Sequence, residues 1–229
     1  MSNTGTLVIK KRSYFSTHHL WAAEHFSKLA GDIEDNHDGR PVFNLEHRVY
    51  VINSIFSTTA FLEAAINEIF QDAHDGHHGY LENLDKPLLD KLAAIWEVTE
   101  QNNKNPFSVL EKYQIALNFA AKDEFDKGQD PYQSANLVIK LRNFLTHYKP
   151  MFVGGDQKYR IEDKLRGKFA LNKILEETGD PEFPDKMLSK GCTDWSIKSI
   201  KSFADEFFER MEIEPNYQRV DMDKLAGKT

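Results

Sequence analysis

Apolar residues in this chain recur mainly at three- and four-residue steps. Between Glu46 and Asp72, the residues Ile52, Ile55, Phe56, Thr59, Leu62, Ile66, Ile69 and Phe70 share one wide face, which predicts a long core helix. The polar stretch DAHDGHHG, Asp72 to Gly79, ends it. Two more helical patterns follow, DKPLLDKLAAIWEVTEQ and NPFSVLEKYQIALNFAAKDEF, with Asp85 or Asn105 ahead of a proline suited to a first turn. DPYQSANLVIKLRNFLTHYKP repeats the device with Asp130 and Pro131, and Pro150 stops it. Four consecutive helices are predicted over this region.

On either side the pattern is weaker. Residues 6–16, TLVIKKRSYFS, have the β-branched and aromatic character of a strand, residues 18–30 suit strand or helix equally, and residues 31–41 read as a loop. Toward the C-terminus, Gly154 and Gly155 mark a turn and a helix is predicted over 162–177. A last amphipathic helix runs from about Asp194 to Met211, with Ile200, Phe203, Phe207 and Met211 on one side. The polar segment after Pro215 reads as a loose tail. The expected fold class is all-α: an antiparallel helical bundle with additional helices at the C-terminus and a short N-terminal β-hairpin. The expected organisation is an N-terminal extension over 1–43, a bundle over 44–212 and a tail over 213–229.

Composition narrows the classes. The chain is 40% hydrophobic with sixteen Phe, so it can build a core without metals or disulfides. Its single cysteine, Cys192, has no partner for an internal disulfide, which fits a reducing compartment. The opening MSNTGTLVIKKRSYF holds only a three-residue apolar run before its basic cluster, and no later stretch reads as a bilayer span, so a cytoplasmic location without membrane contact is expected. With 36 acidic against 29 basic residues, net −7, the overall field repels a polyanion. A nucleic-acid enzyme is compatible only if local basic groups line one cleft.

Within LRNFLTHYKP, a rotation of roughly 100° per residue puts Leu137, Leu141, Phe144, Leu145 and Tyr148 on the core face and leaves Arg142, Asn143, Thr146 and His147 off it. Asn143 and His147, four apart, are stacked neighbours, and the amide is placed to hold the imidazole. Arg142 and His147 flank a strip occupied by Ile139 and Thr146. An apolar residue there suggests a second packed surface, and a second copy of the chain across a two-fold axis is its simplest supplier. On the long core helix, Glu63 falls within the apolar arc, with Asn67 one turn on. A carboxylate so placed needs a partner, and Arg142 is the one expected; otherwise Glu63 sits at the rim and reaches solvent.

These residues resemble the HEPN superfamily (higher eukaryotes and prokaryotes nucleotide-binding), helical bundles whose signature is Arg, four to six residues, then His, often with Asn right after the Arg. RNFLTH matches with Arg142, Asn143 and His147, and FSTTAFLEAAINEIF is similar to the long first helix of some bacterial members. The resemblance covers roughly residues 44–150. It implies a metal-independent endoribonuclease without cofactor, often a toxin or phage-defence effector with an antitoxin partner, acting on RNA as a homodimer with the motif at the interface. His147 would then move the proton of a ribose 2′-OH, Arg142 would hold the phosphate and Asn143 would support them, with Glu63 and Asn67 behind. The alternative within the same resemblance is a non-catalytic module that binds a nucleotide or a protein. One departure stands out: Tyr148 follows His147 directly, without the spacer found in members silenced by nucleotidyl transfer. A rival constellation, His74, Asp75, His77 and His78, has metal-ligand residue types but two glycines and no HExxH or paired-cysteine pattern, and reads as a solvated loop.

Overall fold

The computed structural model describes residues 10–101, 106–155 and 157–219. It is all-α: α1 (Phe15–Asp35), α2 (Leu45–His74), α3 (Lys86–Gln101), α4 (Val109–Phe119), α5 (Tyr132–Thr146), α6 (Arg160–Leu165), α7 (Lys190–Met211) and α8 (Asn216–Arg219). No strand occurs among the described residues, only an isolated bridge between Gly154 and Gln157.

Most helix starts are written locally. Asn44 accepts the His47 N–H at 2.9 Å ahead of α2, and Asp85 accepts the Leu88 N–H at 2.9 Å in α3. Asp130 takes both the N–H and the hydroxyl of Ser134 at the start of α5. For α4 the cap is Ser108, in a capping box with Glu111, rather than Asn105. Ser189 accepts the Cys192 N–H ahead of α7. Helix α1 has no side-chain cap from its own N-cap residue, Tyr14. Instead Glu68, a full helix away on α2, accepts the Ser16 N–H at 2.8 Å and the Ser16 hydroxyl at 2.6 Å.

Helices α1 and α2 run antiparallel, tied at both ends and in the middle: Ser16 to Glu68, the Ser54 hydroxyl to the Ala23 carbonyl, and His47 to Glu34. Around α2 two apolar clusters form. The larger joins Phe61, Leu62, Ile66, Ile69 and Phe70 of α2 to Leu92 of α3, Tyr113 and Leu117 of α4, Val138 of α5, and Phe203 and Phe207 of α7. The smaller holds Val51, Ile55, Leu137, Leu141, Ile161, Leu165, Phe183 and Met187. Helix α5 contributes to both, so its orientation is fixed from two sides.

Several expectations change. The strand expected over 6–16 is not formed in its described part, since residues 10–14 have no regular structure and helix starts at Phe15, while residues 6–9 lie outside the described residues; residues 18–30 are helix. The buried face of α1 is Ser16, Thr17, Leu20, Ala23, Ser27, Ala30, Gly31 and Glu34, small residues that allow close approach but leave almost no apolar stripe to read. The helix expected over 162–177 is only Arg160–Leu165, because Gly167 at φ +72 turns the chain away. The segment after Pro215 is not loose over its described part: Tyr217 is buried, its ring edge-on to Phe61 at 4.9 Å and its hydroxyl donating to Asp205 at 2.7 Å. The 1–43 boundary falls in the turn between α1 and α2, within one packed unit. Finally, Leu45–His74 is long and apolar enough to cross a membrane, contrary to the sequence reading, but half of its apolar window is buried against the other helices.

Candidate functional site

Helix α5 buries Leu137 and Leu141 and turns Arg142 toward α2. There an Arg142 guanidinium nitrogen lies 3.8 Å from a Glu63 carboxylate oxygen, with the side chains 29% and 40% exposed. The expected partnership is present, but Glu63 sits at the rim rather than in the core. A loose, solvated pair of this kind contributes about 0–1 kcal/mol, so it orients Arg142 more than it stabilises the bundle. The Arg142 Nε is sealed from solvent and makes no hydrogen bond among the described residues.

Asn143 and His147 are exposed at the end of the helix. Regular helix stops at Thr146, and His147 is the C-cap, at φ −106 and ψ 30, its N–H bonded to the Asn143 carbonyl at 3.0 Å. Among the described residues no hydrogen bond joins the Asn143 amide to the imidazole, so the anticipated orienting contact is not made. Beyond the helix, the 100° periodicity no longer applies. Tyr148, expected on the core face, is 43% exposed. Ile139 is partly buried against the larger core, so the apolar strip that suggested a second copy is at least partly covered within the chain.

Asn67 belongs to a different set. It accepts the Lys112 ammonium at 2.7 Å, and that buried ammonium also lies 5.7 Å from the centre of the Trp96 ring. The His74 loop assembles no ligand set: His74 contacts Asp75 at 3.1 Å, Asp75 pairs with Arg12 at 2.9 Å, and His77 and His78 are exposed. No group of three or more metal-ligating side chains occurs among the described residues. Burial pushes the Cys192 thiol up to about 12, which removes it as a nucleophile.

Sequence reading missed two polar networks, one buried and one that reaches the surface. In one, Glu34 and His47, each 2% exposed, meet at 2.8 Å, and Glu34 also accepts the Lys190 N–H at 2.6 Å. In the other, Arg12 pairs with Asp72 and Asp75, the Tyr14 hydroxyl donates to Asp72 at 3.0 Å, and Glu68 holds Ser16. Neither has a signal in a single-helix pattern, because each partner comes from another element. Burial, foremost, raises the carboxyls of Glu68 and Asp72 above the ordinary range and, with Asp72 close by, lifts the Tyr14 phenol to about 12.

The raised Glu68 carboxyl has a measurable sign. A group that binds its proton more tightly when folded contributes stability below its unfolded pKa, and that contribution is lost as pH rises through the folded value. The stability of the wild type relative to Glu68→Gln is therefore expected to fall as pH rises above the ordinary carboxyl range. Urea unfolding at a series of pH values checks this; a difference that grows with pH would contradict it.

A broad groove of about 1160 Å³ runs along α1 and α7, lined by Lys28, Lys198, Asp32 and Asp35 and by the ion pairs Lys190–Asp194 and Lys201–Asp205. Its lining comes from α1 and α7, whereas the Arg142–His147 end belongs to α5. Comparison with known protein families, curated proteins and solved structures returned no match.

Proposed function

We propose that the chain is a metal-independent endoribonuclease of HEPN type, working as a homodimer in the cytoplasm. The observation that supports it is the end of α5: an Arg142 whose guanidinium lies 3.8 Å from Glu63 and an exposed His147 whose imidazole has no hydrogen-bond partner among the described residues, five positions apart. Structural histidines are normally consumed by a partner, as His47 is by Glu34. An exposed imidazole and a guanidinium from the same helix end are the groups that a ribose–phosphate cleavage needs.

In that reaction the 2′-oxygen attacks phosphorus and the bond to the 5′-oxygen breaks. The His147 ring takes the 2′-OH proton, and the departing oxygen receives one from imidazolium or water, leaving a cyclic phosphate and a 5′-OH end. Arg142 places its fork on the non-bridging oxygens as charge builds. The requirement for a 2′-OH restricts the substrate to RNA. Asn143, not bonded to the ring, is left to contact phosphate. Pairing of two copies would double these groups about one cleft, and a silencing antitoxin would be the natural partner of such a nuclease.

The Glu63–Arg142 contact is equally what a non-catalytic HEPN-type module, binding a nucleotide or a protein, would show. The readings separate in one assay. Purified protein incubated with total RNA in EDTA is expected to yield discrete fragments, with losses of about 100-fold or more in Arg142→Ala and His147→Ala. Fragments that persist in both variants, or no cleavage at all, would remove the nuclease reading and leave the module.

A further inference from the structure

The segment after His147 runs through Tyr148, Lys149, Pro150 and Met151 without regular structure, yet it is pinned at one point. That point is the hydroxyl of Tyr159, the N-cap residue of α6. Its oxygen lies 2.8 Å from the Tyr148 hydroxyl, 3.2 Å from the Lys149 carbonyl and 3.1 Å from the Met151 N–H, which donates to it. One hydroxyl proton serves one of the first two at a time and the oxygen accepts the third, so a single buried group contacts three consecutive non-proline residues of the loop.

The post itself is rigid. The Tyr159 ring is buried and packs edge-on against Phe144 of α5 at 5.2 Å and Phe183 at 5.8 Å. Phe144 in turn meets Tyr148 at 5.8 Å and Phe183 at 5.4 Å. Four rings thus sit beneath the end of α5, and the Tyr159 hydroxyl is the polar tip of that cluster.

His147 lies between two fixings. On the N-terminal side its own N–H is bonded to Asn143, and the Thr146 hydroxyl bonds the Arg142 carbonyl at 2.9 Å. On the C-terminal side the next residue is held by Tyr159. No side-chain hydrogen bond orients the imidazole among the described residues, so its direction depends on the backbone on either side. We infer that Tyr159 is the positioning residue of this site, fixing through residues 148–151 the direction in which His147 presents its ring. This rests on the ribonuclease reading for its consequence in catalysis, though not for its geometry.

The test is Tyr159→Phe, which keeps the ring in its cluster and removes the hydroxyl with all three contacts. The His147 ring resonances, identified as those lost in His147→Ala, are expected to shift or broaden in this variant. With RNA, kcat is expected to fall about ten- to a hundredfold while KM stays within about twofold, the pattern of a misplaced catalytic group rather than of lost substrate binding. Unchanged His147 resonances, or wild-type kcat in a variant whose parent needs His147, would overturn the inference and leave the ribonuclease reading standing. If the wild type cleaves no RNA, that reading fails instead, and the ring resonances still decide whether Tyr159 positions His147.

Discussion

Glu34→Ala should lower the unfolding free energy by about 3–5 kcal/mol, read as a shift of the urea midpoint at constant slope. Glu34 is 2% exposed, as is its partner His47, so the contact is shielded from water. Truncation removes the acceptor of the His47 ring nitrogen at 2.8 Å and of the Lys190 N–H at 2.6 Å, and weakens the hold on the Lys173 N–H at 3.5 Å. Each strong donor left buried without a partner costs about 1–3 kcal/mol. The space vacated by the side chain adds a packing loss on top. Glu34→Gln, which keeps the volume and one acceptor, should cost clearly less. A loss below about 1 kcal/mol in the alanine variant would mean that water or a rearranged donor replaces Glu34, and that the junction of α1, α2 and α7 is not held by it.

The second large effect is expected at Gly191, near the start of α7. A methyl group there would lie 2.3 Å from the Ala170 carbonyl oxygen, 2.9 Å from its nitrogen and 3.0 Å from its carbonyl carbon. All three are main-chain atoms, and the same carbonyl is fixed by the Ser189 hydroxyl at 2.7 Å, so the neighbouring strand of chain cannot swing aside as a side chain would. Intrinsic helix preference favours alanine over glycine by about 1 kcal/mol, whereas forcing extra volume into a tight contact costs about 1–3 kcal/mol and sometimes more. The steric term wins because the clash is with backbone. Gly191→Ala is therefore expected to be destabilising, by calorimetry or denaturant titration, despite being a glycine-to-alanine change within a helix. A stabilised variant would show that the 170 segment is free to move.

Sequence periodicity revealed the elements whose buried faces are large and apolar. α2 shows this well, since Ile55, Leu62, Ile66 and Ile69 are both the residues that repeat in the sequence and the ones that are buried. α1 shows the opposite, because a face of Ser, Ala and Gly gives no hydrophobic signal although it packs closely. At the site, the positions of Arg142 and Glu63 on adjoining faces were legible, since both lie within regular helix. Tyr148 was not, because helical geometry ends two residues earlier. Asn67 was assigned beside Glu63 because a single-helix projection cannot show Lys112 arriving from α4. The hold of Tyr159 on the loop after His147 spans an irregular stretch and is a tertiary fact with no local pattern.

Helix ends are ordinarily the first parts of a fold to open, since their terminal amides depend only on solvent and nearby side chains. Here two of them are secured from elsewhere: the first turn of α1 by Glu68 of α2, and the first turn of α7 by Glu34 of α1. The first turn of α1 has no cap of its own, and that of α7 adds Glu34 on the Lys190 amide to its local Ser189 cap, so α1 both borrows a carboxylate and lends one. The Ser16 and Lys190 amides are thereby joined to the opening of the whole α1–α2–α7 unit rather than to local fraying. Helices so linked gain and lose their order together, so a fragment carrying any one of them forfeits the termination chemistry that its neighbours provide.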